Sequence, residues 1–545
     1  MGTASRTDGE GAFDLKPFDA SGAFRMRVGE GGLRRLAVRG AGVTMLSQGV
    51  VFLMQVVSTV VLARLLMPAD FGLVAMVTTF SLLLASVGQI GFPEAVLQRD
   101  EINHFVASNL FWINAGVALT LTVGFAAAGS LLAKFYGDPR VAHVAVGASL
   151  SIFLTSMSVL HLALMQRAMR FPAVSVITVV SRVVSVAVPI ALAWRGWGYW
   201  ALVAGVVAQP LALAIGAWLA CPWVPSLPRR AEGTASLVRF ALNVNGRWNF
   251  DYCTRNLDNF LVGWRFGSAP LGFYKKAYDL FVLPANQLLS LFPVAISTLS
   301  RLRHDSVQYR RYFLGGVSVL AFVGMAAGAD LTLVSKDLVR LILGPAWEPS
   351  GRIFAIFGPG IGLMLIYGTN GMIHLSLGTP NRWLRWTMVE FTVTAILFLS
   401  ALHWGPVGIA AAWTVSFWIL TIPAFWYAGK PIHFGPAPVI RTIWRYMVAS
   451  LLAGCTCALI RRGIPSLATV PGWIGALARM VTISTIFGAL YVSAIILLYR
   501  SCDPLIQFAR VLREMIPAGW PSTRPRIPDA PDAGKSDTVS FQPLS

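Results

Sequence analysis

The sequence is poor in charged residues and in cysteine. Only 12% of its 545 residues are charged and 56% are hydrophobic, whereas about a quarter of a soluble protein is charged. A soluble fold is excluded, because too few polar side chains remain to cover the surfaces of its domains. The five cysteines form no pair with zinc-site or thioredoxin spacing, so we expect them to be small apolar side chains in helices.

Enzyme motifs are also missing. The sequence contains no P-loop, no GxSxG elbow, no HExxH helix and no glycine-rich dinucleotide fingerprint, and its seven histidines show no metal spacing. We therefore expect no catalytic residues, no metal and no cofactor. Without a nucleotide site, transport would draw on an ion gradient or on the downhill flux of the substrate.

Long apolar runs fill most of the chain. A bilayer core about 30 Å thick needs about 20 apolar residues per helix, and on this criterion the sequence predicts an all-α polytopic membrane protein with about 14 transmembrane helices. Their connections are too short to contain a catalytic domain. The predicted segments are 40–63, 71–92, 106–132, 141–164, 173–194, 199–221, 238–264, 271–297, 312–335, 353–376, 384–404, 407–428, 444–460 and 473–499.

Basic residues give the predicted orientation. Lysine and arginine number 44 against 24 acidic residues, for a formal net charge of +20. They cluster in alternate loops, in pairs such as Arg34 with Arg35 and Arg229 with Arg230, as expected of cytoplasmic loops. We expect both termini in the cytoplasm, loops that meet anionic lipid head groups, and no nucleic-acid partner. Residues 1–32 have no apolar core, so no cleavable secretory signal is expected.

Three connections recur in the same order in the two halves of the chain. Leu62–Gly72 joins helices 1 and 2, and Leu261–Gly272 joins helices 7 and 8. His161 and His374 precede the basic loops after helices 4 and 10, and glycine-rich turns precede helices 6 and 12. This order predicts two pseudo-symmetric six-helix lobes with a cavity between them, plus two C-terminal helices. The alternative is chance recurrence of glycine-rich turns.

The repeats and the loops together set the predicted boundaries. Residues 1–35 are the cytoplasmic N-terminal tail, 36–228 the N-lobe with helices 1–6, and 229–430 the C-lobe with helices 7–12. Residues 431–500 form helices 13 and 14. Residues 501–545 form a cytoplasmic tail, which its proline-rich polar composition predicts to be disordered from about residue 521.

Helix 7 carries a polar stripe several turns long. At about 100° per residue, its members fall within roughly 120° of one another: Asn243, Arg247, Asp251, Arg255 and Asp258. Ionisable groups at membrane depth cost at least about 2.5 kcal/mol each on insertion scales, so they face a wet cavity or one another. In one interpretation Asn243, Arg247 and Arg255 bind an anionic substrate group. In the other, Arg247 and Arg255 pair with Asp251 and stabilise the lobe.

Helices 5 and 8 add further candidates. Lys275 and Asp279 have the spacing of an i,i+4 pair. Lys276 points elsewhere and has no partner nearby in the sequence, so it is a substrate-binding candidate, with snorkelling to the interface as the alternative. Arg182 lies near the middle of helix 5 with no carboxylate on that helix, which predicts a cavity-lining or substrate-binding role. Gln55 of helix 1 is expected to pack helices together.

Two acids, Asp330 and Glu390, lie about a turn and a half inside the predicted ends of their helices. Interfacial pairing is the favoured interpretation, and coupling to a proton is the alternative.

Short motifs carry a resemblance that covers about residues 35–430. They are Leu62–Met76, Gly91–Asp100, Asn109–Asn114, Arg167–Phe171, Gly196–Val203, Asn256–Gly263, Leu271–Tyr278 and Pro293–Arg301. In this order they resemble the polysaccharide transporter family of the multidrug/oligosaccharidyl-lipid/polysaccharide flippase superfamily, and exporters of colanic-acid and O-antigen type more than drug antiporters. The sequence departs from the family at Trp264–Arg265 and in the heavy polar load of helix 7.

The resemblance implies a flippase of the bacterial inner membrane. Its substrate would be an undecaprenyl-pyrophosphate-linked oligosaccharide, an exopolysaccharide or O-antigen repeat unit, carried to the outer leaflet by alternating access. The implied partners are this lipid-linked oligosaccharide, membrane lipids, and polysaccharide polymerase and export machinery. A cationic cavity in the family agrees with the four candidate basic residues of helices 5, 7 and 8.

Two other functions stay open at this point. A drug or cation antiporter of the same superfamily would work through an acidic cavity, with Asp251 and Asp258 as its functional groups. A membrane polysaccharide polymerase or glycosyltransferase would need a long outer loop with paired acids, and the outer loops of this sequence are short.

Overall fold

The computed structural model of the protein is largely helical in its described part. It describes residues 17–19, 24, 30–89, 91–98, 102–229, 234–289, 292–463, 472–506 and 508. Within these ranges the only strand-like pairing is one isolated bridge between Phe18 and Phe24. The helices are α1 (Glu30–Leu65), α2 (Pro68–Gln89), α3 (Phe92–Gln98), α4 (His104–Ala127), α5 (Gly129–Tyr136), α6 (Arg140–Arg167), α7 (Phe171–Trp194), α8 (Tyr199–Ala220), α9 (Thr234–Phe266), α10 (Ser268–Leu289), α11 (Phe292–Arg301), α12 (Ser306–Ile342), α13 (Glu348–Gly368), α14 (Asn370–Ser376), α15 (Pro380–Ala401), α16 (Gly405–Gly429), α17 (Ala437–Gly463) and α18 (Gly472–Tyr499).

Every predicted segment overlaps one long helix. Helices 1, 2, 5, 7 and 8 of the prediction are α1, α2, α7, α9 and α10. In the described ranges, 11 spans are long and apolar enough to cross a membrane, and one of these, Pro380–Ile432, contains both α15 and α16. The more polar α9 and α10 are not among them, although they are 33 and 22 residues long. The all-α polytopic fold is confirmed, and the count of 14 stays a prediction.

The outside of the bundle is apolar. Trp194 is 83% exposed and Leu219 is 76% exposed, and large apolar side chains are exposed along most of the long helices. Soluble proteins rarely expose contiguous apolar surface of this extent, whereas hydrocarbon is its natural environment. The chain is therefore a multi-pass membrane protein.

The histidines of the repeated connections are both buried, but their partners differ. We call α1–α8 the N-terminal half and α9–α16 the C-terminal half. His161 and His374 are fully buried, and each contacts a residue outside its own helix. His161 Nε2 lies 3.1 Å from the Trp223 carbonyl oxygen, and His374 Nδ1 lies 3.3 Å from Thr379 Oγ1. The remaining helices α17 and α18 pack on each other and on α12.

Asp330 and Glu390 lie deeper than predicted. α12 continues to Ile342 and α15 begins at Pro380, which places both acids about three turns from the nearer helix end. The prediction of a turn and a half is wrong, because both helices extend beyond their apolar runs. Asp330 accepts a hydrogen bond from Ser484 Oγ of α18 at 3.0 Å. The predicted tail from residue 521 lies outside the described residues.

Candidate functional site

The two halves meet where α2 packs against α9 and α10. They approach each other closely at Gly72 and Gly272, the last residues of the repeated connections. A Cβ on Gly72 would overlap the carbonyl oxygen of Ser268, and a Cβ on Gly272 would overlap that of Pro68. The contact is reciprocal, which is what the predicted pseudo-symmetry of the two lobes would require. Backbones this close leave room only for glycine.

Lys276 lies in this contact between the halves. The residue is 8% exposed, and its Nζ lies 4.3 Å from the ring centre of Phe71 on α2. Phe71 in turn packs edge-on against the buried ring of Trp347, which follows α12. The Trp347 indole N–H donates to the Ala63 carbonyl oxygen of α1 at 2.8 Å. The ammonium group of Lys276 therefore bridges the C-terminal half to an aromatic ring of the N-terminal half.

Asp258 lies inside the C-terminal half, with no exposed surface. Its Oδ2 accepts hydrogen bonds from the Tyr274 hydroxyl at 2.7 Å and from Trp413 Nε1 at 2.9 Å, and its Oδ1 accepts from the backbone N–H of Asn259 at 2.7 Å. These donors come from α9, α10 and α16. The carboxylate thus joins three helices, which favours a stabilising role, with neutral donors in place of arginine partners.

The predicted pair of Lys275 and Asp279 is confirmed. Lys275 Nζ lies 2.5 Å from Asp279 Oδ1, one helical turn away. The side chains are 32% and 38% exposed, so the pair contributes at most about 1 kcal/mol. Lys275 is also an electrostatic neighbour of Asp258. Part of the negative charge buried in this half is therefore compensated.

Arg182 of α7 lies between two glutamines. Its Nη1 is 3.3 Å from Gln209 Oε1 of α8 and 3.5 Å from Gln55 Oε1 of α1, and its Nε is buried without a hydrogen-bond partner. No carboxylate of the described ranges forms an ion pair with it. Gln55, which the sequence assigned to helix packing, is thus a neighbour of this guanidinium. Because the two glutamine oxygens are neutral, they do not cancel the positive charge of Arg182, and this charge is available to bind an anion.

Arg255 is exposed and belongs to a polar group shared by α9, α13 and α15. Trp386 Nε1 donates to the Tyr367 hydroxyl at 2.9 Å. The same hydroxyl is hydrogen-bonded to Glu390 and has Arg255 as a charged neighbour. Sequence reasoning missed Tyr367 and Trp386, because an aromatic residue in an apolar helix gives no separate signal. The only indication of this polar group in the sequence was Glu390, an acidic residue in the middle of an apolar run.

Three members of the predicted stripe cannot be placed. Asn243, Arg247 and Asp251 are on α9, but their side chains lie outside the described part of the structure. The predicted pairs of Arg247 with Asp251 and of Asp251 with Arg255 therefore stay predictions.

A charged cluster that the sequence did not predict fixes α17 and α18 to α12. Asp337 of α12 is buried, and its Oδ1 accepts hydrogen bonds from Arg479 Nη2 at 2.7 Å and Nε at 2.9 Å. Arg461 Nη2 lies 3.9 Å from Oδ2 of the same carboxylate. In the sequence, the only sign of this cluster was Arg479, which lies within the predicted apolar segment 473–499. Across the described ranges, no group of three or more His, Cys, Asp or Glu residues has the arrangement of a metal site.

Several known proteins are similar to this chain in sequence. The succinoglycan biosynthesis transport protein ExoT of Rhizobium meliloti (strain 1021) is 22% identical over 331 residues, which cover 61% of this chain and 67% of ExoT. The lipopolysaccharide biosynthesis protein WzxC of Escherichia coli (strain K12) is 22% identical over 323 residues, covering 58% of this chain and 65% of WzxC. The matched part thus spans about two thirds of either relative.

Solved transporter structures share the fold. The lipid II flippase MurJ in an inward closed conformation matches with a TM-score of 0.66 at 13% identity, covering 84% of this chain and 98% of MurJ. An inward-facing multidrug resistance MATE family transporter of the MOP superfamily matches with a TM-score of 0.57 at 13% identity, covering 70% of this chain and 94% of that one. The helical bundle is thus a transporter fold.

The family assignment rests on the sequence match. Residues 61–352, more than half of the 545, match the family described as polysaccharide biosynthesis protein. The matched range includes α2, α9 and α10, which make the contact between the halves, and the motifs from Leu62 to Arg301 that carried the resemblance. The chain belongs to this polysaccharide biosynthesis protein family.

Proposed function

We propose that the protein moves an undecaprenyl-pyrophosphate-linked oligosaccharide, an exopolysaccharide or O-antigen repeat unit, across the bacterial inner membrane by alternating access. Family membership supports the link to polysaccharide, and the names of the relatives describe transport and biosynthesis of such polymers. The shared fold with a lipid II flippase supports lipid-linked cargo. The proposal involves movement without covalent chemistry.

The observation that carries the proposal is Arg182. A guanidinium in the middle of a membrane helix is costly unless a ligand or a wet cavity receives it, and here its neighbours are two amide oxygens. Guanidinium groups bind phosphate oxygens through paired hydrogen bonds. The pyrophosphate of the lipid carrier is thus a suitable ligand for Arg182. Arg255 of the C-terminal half, and Asn243 and Arg247 nearer the start of α9, are the other proposed ligands.

The acidic residues take different proposed roles. Asp258 stabilises the C-terminal half through its three donors, and Asp279 neutralises Lys275. Asp251 pairs with the arginines of its own helix. The proposed orientation has both termini in the cytoplasm. Polysaccharide polymerase and export machinery are the proposed partners beyond the membrane lipids and the cargo.

A deletion strain tests the function. Lipid-linked repeat units should accumulate on the inner leaflet, and the intact gene should restore surface polysaccharide. Arg182→Ala should lower the flipping rate roughly tenfold or more, because a charged hydrogen bond contributes about 1.5–3 kcal/mol. Arg182→Lys should be intermediate, since an ammonium keeps the charge without the paired geometry.

The matched control is Arg195→Ala, which removes an exposed arginine just beyond the end of the same helix. This variant should restore export fully. If the deletion leaves surface polysaccharide normal and changes only drug tolerance, the protein is a drug antiporter and the flippase proposal is wrong. Equal export by the two alanine variants would remove Arg182 as a ligand.

A further inference from the structure

The close contact of α2 with α10 has the form of a closed gate. Gly72 and Gly272 occupy matching positions in two repeated connections, each about one turn inside its helix. A Cβ on Gly72 would lie 2.8 Å from the backbone nitrogen of Gly272, and one on Gly272 would lie 3.2 Å from that of Gly72. Both distances are shorter than ordinary van der Waals contact. An added methyl group at either position would hold the helices apart.

Two further contacts across the halves lie at this end of the bundle, in addition to the packing of α3 on α9 at the other end. The Arg64 guanidinium at the end of α1 donates to the Leu341 carbonyl oxygen at the end of α12 at 2.7 Å. The Phe135 ring of α5 stacks on the Trp264 ring of α9 with centroids 6.1 Å apart. All four residues lie within one turn of the end of their helices. The α1–α2 end of the bundle is therefore sealed by groups from both halves.

The seal extends inward from that end. Tyr252 of α9 donates its hydroxyl hydrogen to the Thr79 carbonyl oxygen of α2 at 3.0 Å. Thr79 is eleven residues after Pro68, or about 16 Å along the helix at 1.5 Å per residue. Lys276 over Phe71 lies between this bond and the end of the bundle. The halves are thus in contact over about half the membrane depth.

We infer that Gly72 and Gly272 form the closing contact of a gate at the α1–α2 end, latched by Lys276 on Phe71 and by Trp347 on Ala63, and that this contact separates in each transport cycle. The bonds of the latch are few, and each joins one half to the other. The halves can therefore part here without breaking the interior of either one. Lys276 acts in this gate as a positioning residue, and the predicted orientation places the gate on the outer side. The inference rests on alternating access in the proposed function.

Cross-linking tests the gate in the full-length protein. Phe135 and Trp264 are replaced by cysteine in a variant whose five native cysteines are alanine, and a short cleavable bifunctional thiol reagent is added. Both positions are partly exposed, so the reagent can reach them. The pair should cross-link when the gate is closed. Adding Gly72→Ala or Gly272→Ala should lower the cross-linked fraction roughly tenfold, because overpacking shifts the equilibrium toward the separated state.

Gly116→Ala is the matched control. Gly116 is on α4, and a Cβ there meets no atom within 4 Å, so this variant should cross-link like the parent. Phe71→Leu, which removes the ring face but keeps apolar bulk, should give an intermediate fraction. If Gly72→Ala and Gly272→Ala cross-link as fully as Gly116→Ala does, the glycine pair is not the closing contact.

A second measurement needs no glycine substitution. The cross-linked protein is placed in liposomes with an undecaprenyl-pyrophosphate oligosaccharide as the probe. Flipping should stop while the link is intact and return after the link is cleaved. Flipping that continues with the link intact would overturn the gate. If the uncross-linked parent moves no probe, the proposed function fails, while the cross-linking pattern of the glycine variants still reports on the gate.

Discussion

Burial separates charged residues that look alike in the sequence. Asp258 and Asp279 both lie near basic residues in α9 and α10, yet Asp258 has no exposed surface and Asp279 is 38% exposed. Spacing along a helix says which residues share a face, but not which neighbours that face meets. Tyr274 and Trp413 reach Asp258 from two other helices, and no local pattern announces them.

Replacing Asp258 with alanine should destabilise the fold. The change leaves the Tyr274 hydroxyl and the Trp413 indole N–H without an acceptor, and each unsatisfied buried donor costs about 1–3 kcal/mol. Thermal unfolding of the purified protein in detergent measures the effect as a lower midpoint. Glu348→Ala, which removes a carboxylate from an exposed pair with Arg352, should change stability by less than about 1 kcal/mol. Equal midpoints for the two variants would show that the three donors do not stabilise the half.

Glycines also set how closely whole helices approach. α12 and α13 cross at two glycines each, Gly324 and Gly328 on one and Gly358 and Gly362 on the other. A Cβ on Gly328 would lie 2.6 Å from the Gly358 carbonyl oxygen. Small residues four apart allow such close packing in membranes, where van der Waals contact drives association. This crossing lies within one half, so it differs in function from the pair at Gly72 and Gly272.

Gly358→Leu should lower the stability of the protein. Unlike the substitutions at Gly72 and Gly272, it should not give a folded protein in which the gate equilibrium is shifted. The new side chain overlaps Thr332 Oγ1 and the backbone of Gly328, and overpacking of this kind costs about 1–3 kcal/mol or more. The readout is the thermal midpoint together with the fraction that elutes as a single species. Gly316→Ala on α12, where a Cβ meets nothing within 4 Å, should match the parent. A Gly358→Leu protein with an unchanged midpoint would show that α12 and α13 tolerate separation.

The basic loops predict the orientation of the whole molecule, and Cys502 offers a direct test of that prediction. This cysteine is exposed just after α18, on the side predicted to be cytoplasmic. A membrane-impermeant maleimide should label it in inside-out vesicles and not in intact spheroplasts, and Cys502→Ser should abolish that label. Labelling from the outside would reverse the predicted topology.

Cys221 serves as an internal reference in the same experiment. It is buried just after α8, and burial raises the pKa of its thiol to about 11. At pH 7 to 8 the group stays protonated, and only the thiolate reacts. No label is therefore expected at Cys221 from either side of the membrane.

The sequence by itself determined the membrane class, the long helices and the family. Each of these depends on local properties, namely the length of an apolar run, the distribution of arginine and lysine, and short motifs. The pairing of Lys275 with Asp279 was also predictable, because both residues are on one helix. The ends of the helices were less predictable. α12 and α15 continue past their apolar runs into polar residues, and a hydropathy scan does not recognise these polar residues as helical.

Only the tertiary structure decided which candidate side chains meet. It enclosed Asp258 among donors from α10 and α16, placed Gln55 and Gln209 beside Arg182, and set Lys276 against a ring of the other half. These contacts join residues on different helices, so they depend on how helices pack and not on spacing along one helix. The repeated glycines at 72 and 272 were visible in the sequence as a pattern. That they touch each other, and what they close, follows only from the packing of α2 on α10.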